Sequence, residues 1–389
     1  MKSDIAPSTD TNRRKDSAKA KLKLLVNGIQ DNPELFQLLS FQFKEEHYAY
    51  DNGNWGVDKN RLVPTEILLP GEIVSKIHIR PDSPLKMRKD GDTLIIEDGG
   101  AVLSEFSFLP RPNFWNYKTS HGTPTKRLAQ MYGLNCLNFN IFSGCEFHEA
   151  ALACQFCSVK ETVTRRDGVV ITKSAQELAE VCELVAHHDN ISCIIITGGS
   201  YLDSDYEFDA HMDVIRAIRH KLPWGGRIRG NISLMPPRTK SKLIQLHQEG
   251  VDHPSFNLEV WPQTAFDRVC SGKSRFVGFE HILDSFRSLV SCYGSGKVWC
   301  NFVAGLVPLE DLLNGFNAIA EMGVVPGANV FHPEVGSYLG NTLSSPNEDF
   351  ILRTYSHAAE VYHRFGYKPF FNAAVLRNSL ANEVYEGLL

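Results

Sequence analysis

From about Leu134 to the C-terminus, short apolar segments alternate with segments whose apolar residues recur every three or four positions. The apolar segments are rich in β-branched and aromatic residues, which predicts strands over 137–144, 193–199, 226–234, 255–261, 298–306, 328–334 and 368–375. The segments between them have the helical period, and Ser174 and Glu177 form a capping box at the start of one. Such alternation is typical of a parallel sheet covered by helices.

This pattern predicts an α/β fold, a full or partial parallel (β/α) barrel of six or more strands. A flat, doubly wound sheet is the alternative that the alternation leaves open. Upstream, strand patterns separated by glycine-containing turns predict a small α+β N-terminal domain over 21–115, followed by the barrel domain over 116–389. Residues 1–20 are polar and charged, which predicts a disordered tail.

Composition narrows the class of protein. The chain has 389 residues, of which 43% are hydrophobic, and a formal net charge of -5. That charge argues against a nucleic-acid partner bound by neutralising phosphates. No apolar run approaches the roughly 18 residues of a membrane span, and the N-terminus lacks the apolar stretch of a signal peptide. We therefore expect a cytoplasmic protein without a nucleic-acid or membrane partner.

Three of the nine cysteines are clustered directly after the first predicted barrel strand, as Cys145-x8-Cys154-x2-Cys157. In parallel barrels, functional groups collect at the C-terminal ends of strands, so this placement indicates a site. Zinc would need a fourth ligand, for which His148 and Cys136 are candidates. Three thiolates on a 4Fe–4S cluster would instead leave one iron open, as a catalytic metal requires. The remaining six cysteines are expected to be small buried apolar side chains.

The cysteine cluster and the segments that follow it resemble the radical SAM superfamily. Phe156, before the last cysteine, matches the second half of the family signature, whereas the first spacing is eight residues and not the common three. The resemblance spans about residues 110–380. It implies a 4Fe–4S cluster and S-adenosylmethionine, whose cleavage yields a 5′-deoxyadenosyl radical that abstracts hydrogen from a small-molecule substrate.

The same resemblance implies positions that bind the cofactor. In it, the turn Thr197-Gly198-Gly199-Ser200 holds the methionine amino group, Glu259 bonds the ribose and Arg268 lies near the cofactor carboxylate. The other implied positions are Phe156, Asn231, Gly305 and His332. Each residue also has an ordinary structural explanation: a plain turn, a surface ion pair, a glycine that eases packing or a histidine at a strand end.

A finer likeness concerns residues 109–137, LPRPNFWNYKTSHGTPTKRLAQMYGLNCL. Together with the eight-residue spacing, this stretch resembles a small radical SAM subgroup whose genes tend to accompany a nitrilase, which hints at nitrogen-containing small molecules. An electron donor such as flavodoxin or ferredoxin would be a partner. The alternative function is that of a zinc-stabilised, non-catalytic α/β binding protein.

Overall fold

The N-terminal part of the chain forms an antiparallel sheet with strand order β2-β1-β5-β4-β3. The structure is a computed structural model that describes residues 9–40, 63–165, 168–334, 336–369 and 376–389. Two helices precede the sheet, and the elements of this part are α1 (Thr9–Asn27), α2 (Pro33–Leu38), β1 (Glu66–Leu69), β2 (Ile73–Lys76), β3 (Leu85–Asp90), β4 (Thr93–Asp98) and β5 (Ala101–Phe108). Their apolar side chains form a core of their own.

Helix α1 corrects the expected disordered tail for residues 9–20, because the chain is helical from Thr9 onward. Residues 1–8 of that expected tail lie outside the described residues. Ala18 and Ala20 are fully buried. Lys21, also fully buried, donates to Glu383 Oε1 at 2.8 Å and to the carbonyl of Leu376 at 2.7 Å. Composition alone missed this helix because its burial depends on contacts with a segment more than 350 residues away.

The second sheet has seven strands in sequential order from β6 to β12. Its first pair is antiparallel and all the others are parallel. The strands are β6 (Gln130–Tyr132), β7 (Cys136–Asn140), β8 (Cys193–Thr197), β9 (Ile228–Ser233), β10 (Val251–Ser255), β11 (Val298–Ala304) and β12 (Val324–Val330). A doubly wound sheet reverses its strand order at a switch point. The unreversed order here therefore confirms the partial-barrel prediction.

Helices lie between successive parallel strands and cover the sheet, as the periodic segments predicted. They are α3 (Glu146–Glu149), α4 (Val159–Arg165), α5 (Ala175–His188), α6 (Ser204–Ile218), α7 (Ile244–Gln248), α8 (Gln263–Val269), α9 (Ser271–Phe276), α10 (Phe279–Tyr293), α11 (Leu309–Glu321), α12 (Glu348–Phe365) and α13 (Ala381–Tyr385). Ser174 caps α5 by accepting from the amide of Glu177 at 3.1 Å. Within the described ranges, no helix has the length and apolar character to span a bilayer.

Two predicted strands are shifted in the structure: the strand expected over 328–334 runs from Val324 to Val330, and the strand expected over 255–261 is the other. The strand expected over 255–261 ends at Ser255 and begins at Val251, so Glu259 lies beyond it. Glu259 has a left-handed φ of 69° and joins the sheet through a single bridge to Phe302. A regular strand cannot contain that conformation. The expected strand over 368–375 falls mostly on residues 370–375, outside the described residues.

Candidate active site

A cavity of about 610 Å³ opens among the strand ends of the barrel. Its volume lies within the range of small-molecule pockets. The cavity is lined by most of the residues that the sequence singled out: Cys145, Cys154, Phe156, Cys157, Thr197, Gly198, Gly199, Ser200, Asn231, Glu259 and His332. Residues that are far apart in sequence therefore meet at one cavity in the fold.

The long spacing between Cys145 and Cys154 accommodates one turn of helix, α3. Phe147 on this turn is buried, and its ring stacks on Phe276 with the ring centres 5.8 Å apart. Gly272 lies against Phe147, where a Cβ atom would meet the ring at 2.6 Å. Its amide donates to the carbonyl of Leu152 at 2.9 Å. The eight intervening residues thus anchor the cysteine loop in the barrel core.

The turn 197–200 packs directly on the cysteine loop. The amide of Glu146 donates to the carbonyl of Ser200 at 2.9 Å, and the amide of Gly199 donates to the carbonyl of Phe142 at 2.8 Å. A Cβ atom on Gly199 would lie 1.6 Å from the carbonyl oxygen of Gly144 and 3.0 Å from Cys145 Cβ. Glycine is therefore required at position 199 for the two loops to approach each other.

The three thiols have different protonation tendencies. Burial raises the pKa of Cys145, and it raises the pKa of Cys157 to about 12. The pKa of Cys154 is lowered, first by a hydrogen bond with the Cys270 thiol and then, against burial, by the charge of Lys273. Metal ligation needs thiolates, so a metal bound at Cys145 and Cys157 would displace their protons.

A buried ion pair lies beside the cysteines. Lys273 Nζ donates to Glu259 Oε1 at 2.6 Å and to the carbonyl of Asn257 at 3.1 Å. Burial opposes the charge on Lys273, but Glu259 and the thiols of Cys154 and Cys270 raise the pKa of Lys273 overall. The lysine therefore stays charged, and it holds the Glu259 carboxylate in place at the cavity wall.

Glu207 is a second buried carboxylate of the cavity. Its oxygens accept from the amide of Met235 at 2.7 Å and from the amide of Tyr201 at 3.1 Å. Burial raises the pKa of Glu207 to about 7, although these two hydrogen bonds act in the opposite direction. Glu207 thereby connects the turn after β8 to the segment after β9.

Two of the implied cofactor positions do not line this cavity. On α8, Ala265, Phe266 and Val269 are buried, which leaves Arg268 exposed on the opposite face of the helix. Gly305 has a φ of 113° and lies outside the cavity lining, close to Pro346. Lys273, five residues beyond Arg268, is a cation that does line the cavity.

Sequence reasoning missed Lys273, Glu207 and a group of residues from outside the parallel strands. Lys273 stands in a polar run, SGKSR, with no periodic signal that it faces inward. Lys76, His78 and Arg377 also line the cavity, although the first two belong to the N-terminal part of the chain. Their position in the cavity wall depends on how the two sheets pack together. No local sequence pattern indicates that packing.

The arrangement of the cysteines bears on the kind of metal site. In the described part of the chain, no three His, Cys, Asp or Glu side chains converge as ligands of a single ion. A structural zinc site requires four convergent ligands. Thiolates that each bind a different iron of a 4Fe–4S cluster need only surround a shared volume. Cys145, Cys154 and Cys157 line such a volume, so these residues fit a cluster better than a zinc ion.

Comparisons with known proteins bear on the class of this chain. The model of the Radical SAM superfamily matches residues 139–313. A curated relative, bacteriochlorophyllide c C-7(1)-hydroxylase of Chlorobaculum limnaeum, is 22% identical over 314 residues, which is 77% of each chain. The chain therefore contains a Radical SAM domain over residues 139–313, and the two matches support an enzyme of the class that uses a 4Fe–4S cluster and S-adenosylmethionine. The non-catalytic alternative is therefore wrong.

Solved structures of radical SAM enzymes are also similar to this chain. Methylornithine synthase has a TM-score of 0.46 and 15% identity over 64% of this chain and 69% of its own. A radical SAM methyltransferase from Sphaerobacter thermophilus has a TM-score of 0.45 and 13% identity, over 77% of this chain and 81% of its own.

Proposed function

We propose that Cys145, Cys154 and Cys157 hold one 4Fe–4S cluster, at which S-adenosylmethionine is reductively cleaved to begin hydrogen abstraction from a small molecule. The observation that carries the proposal is the contact between the cysteine loop and the turn 197–200 at one cavity. Three protein thiolates leave one iron open for the amino and carboxylate groups of the cofactor. Bound together, the cluster and S-adenosylmethionine supply a 5′-deoxyadenosyl radical that abstracts a hydrogen atom.

The chain's own residues orient the cofactor. The turn 197–200 offers backbone groups to the methionine amino group, because its residues line the cavity beside Cys145. Glu259 accepts from the ribose hydroxyls, and Lys273 holds that carboxylate in position. Asn231 is already engaged with the carbonyl of His253 at 3.1 Å, so we assign it a supporting role in the cavity wall.

The substrate is proposed to be a small, nitrogen-containing molecule that enters the same cavity. Amide and hydroxyl side chains line this cavity, including Asn138, Asn257, Asn301 and Ser255. Such groups can donate to and accept from a polar substrate. The relative from Chlorobaculum limnaeum is a hydroxylase, an enzyme whose reaction replaces a hydrogen atom. That chemistry supports hydrogen abstraction as the first step here.

Reduction requires an electron donor, for which we propose flavodoxin or ferredoxin. The location is proposed to be the cytoplasm. All nine cysteines are free thiols, which is the state that a reducing compartment maintains.

Anaerobic reconstitution tests the proposed function. The purified protein is incubated with iron, sulfide and reductant, then with S-adenosylmethionine, and 5′-deoxyadenosine is measured. We expect about four irons per chain and formation of 5′-deoxyadenosine. A protein that retains zinc but no iron, and leaves S-adenosylmethionine intact under reduction, would refute the proposal.

A further inference from the structure

One wall of the cavity comes from outside the seven-stranded sheet. The edge strands β6 and β12 are not paired with each other in the described ranges. Two segments lie at this gap: the end of β2 with the residues after it, and residues 376–379. The amide of Lys76 donates to the carbonyl of Arg377 at 2.8 Å, and the amide of Val330 donates to the carbonyl of Asn378 at 3.2 Å. The N-terminal part of the chain therefore helps to enclose the cavity.

This wall carries basic side chains, which we call the basic seam: Lys76, His78, His332 and Arg377. All four line the cavity and are at least nine-tenths buried. We propose that the basic seam binds an anionic group of the substrate, a carboxylate or a phosphate, and thereby orients the substrate in the barrel. The inference deepens the proposed function and rests on it in taking this cavity as the place where the substrate binds.

The guanidinium of Arg377 is held in a defined position. Its central carbon lies 3.7 Å from the ring centre of Tyr132, and Nη1 lies 3.2 Å from Glu66 Oε2. The other oxygen of Glu66 accepts from the amide of Gly133 at 3.0 Å. A planar cation fixed on an aromatic face and by one carboxylate is suited to bind an anion without further ordering.

The two histidines are packed against each other, with ring centres 3.5 Å apart. Asn378 Nδ2 donates to the carbonyl of Val330 at 3.3 Å, so its Oδ1 accepts from His332 Nε2 at 2.9 Å. That bond fixes the tautomer of His332. In contrast, His78 Nε2 is buried and has no hydrogen-bond partner among the described residues. A buried nitrogen of this kind at a cavity wall indicates a ligand that would provide the missing hydrogen bond.

The field around the histidines is positive. Burial lowers the pKa of His78, and His332, Lys76, Arg377 and Arg80 lower it further. Burial also lowers the pKa of His332, to about 3. Among the described residues, the main charged groups that shift the pKa of the two histidines are the cations Lys76, Arg80 and Arg377. An anion placed here would be attracted by these cations in a buried, weakly screened environment.

The position of Arg377 distinguishes the substrate from the cofactor. Tyr132, on which Arg377 stacks, pairs with Cys136, the first residue of β7. The cysteine loop follows the last residue of β7. Five residues in extended conformation span about 15 Å, so the two ends of β7 are about that distance apart. The carboxylate of S-adenosylmethionine belongs at the cluster end in the proposed function. An anion at Arg377 is therefore supplied by another molecule, the substrate.

Calorimetric titration of the reconstituted holoenzyme, loaded with S-adenosylmethionine but not reduced, tests the inference. The probes are succinate, inorganic phosphate and the neutral analogue succinamide. We expect succinate or phosphate to bind, and succinamide not to bind; the preferred anion identifies a carboxylate or a phosphate as the group recognised. Lys76→Met should weaken anion binding by about tenfold or more, as loss of a buried charged contact does.

Two further variants complete the test. His78→Leu removes the unpartnered nitrogen without removing a fixed charge, and it should weaken anion binding severalfold. It keeps the test available if Lys76→Met does not fold. Lys89→Met, at an exposed lysine of β3, is the matched control and should bind like the parent protein. Equal binding of succinate and succinamide, or anion binding unchanged in both seam variants, would overturn the inference.

The two proposals fail in different ways. A holoenzyme that retains four irons and forms 5′-deoxyadenosine, but binds neither anion, would refute the basic seam alone. A protein that binds an anion through Lys76, but holds no cluster, would refute the proposed function and leave the anion site standing.

Discussion

Replacement of Gly199 by alanine is a sharp test of the contact between the turn 197–200 and the cysteine loop. The added Cβ would lie 1.6 Å from the carbonyl oxygen of Gly144, whereas ordinary contacts are about 3.5 Å. The obstacle is backbone, so no change of side-chain rotamer can relieve it. The two loops must separate by about 2 Å, and a displacement of about 1 Å at a reacting centre can lower a rate about 100-fold.

The adjacent glycine is a matched control. A Cβ on Gly198 would meet nothing closer than 3.5 Å, from backbone atoms of Phe142. Iron content and visible absorption after anaerobic reconstitution, with circular dichroism as the check on folding, compare the two variants. We expect Gly198→Ala to retain its iron, and Gly199→Ala to fold but lose most of its iron and at least about 100-fold of its 5′-deoxyadenosine formation. A Gly199→Ala protein with full iron and full cleavage would show that this contact does not shape the site.

Three further changes test the packing around the site. Lys273→Met leaves Glu259 buried without its cation and should lower the free energy of unfolding by about 3–5 kcal/mol, whereas the double variant with Glu259→Gln should lose less; urea titration compares them. Deletion of residues 1–20 should lower that free energy by at least about 2 kcal/mol, since Ala18 and Ala20 are fully buried; an unchanged midpoint would contradict this. Burial lowers the pKa of His211 to about 4. As the pH falls, the unfolded chain therefore takes up the proton before the folded chain does. The stability that is present above about pH 6.5 is lost toward pH 4, and the free energy of unfolding should fall by about 2 kcal/mol between pH 7 and 5. The His211→Leu variant should lose less over the same range.

The barrel was predictable because its strands are buried on both faces and its helices have one apolar stripe. Those patterns are local, and they also put the cysteine loop and the turn 197–200 at the ends of neighbouring strands β7 and β8. The position of Glu259 was less predictable, because its left-handed φ of 69° interrupts the strand pattern. Arg268 was expected near the cofactor but is exposed on α8, because one residue of helical rotation decides whether a side chain faces the cavity or the solvent.

Tertiary contacts explain the remaining differences. Helix α1 looks like a solvated segment, but Lys21 is buried against Glu383 near the other end of the chain. The basic seam joins Lys76 and Arg377, which are 301 positions apart in sequence and adjacent in space. No periodicity or spacing reports such a contact, and only the packed structure brings these cations to the cavity.

The central claim is that Cys145, Cys154 and Cys157 are the cluster ligands. The direct measurement is the iron content and 5′-deoxyadenosine yield of single alanine variants after anaerobic reconstitution. Each of the three should fall well below four irons per chain and form no 5′-deoxyadenosine, because a cluster anchored by two thiolates leaves two irons without protein ligands. Cys136→Ala is the matched control: Cys136 is fully buried at the start of β7, beside Cys193 and away from the cysteine loop. It should retain about four irons and full cleavage, whereas full activity in Cys145→Ala together with loss of activity in Cys136→Ala would contradict the assignment.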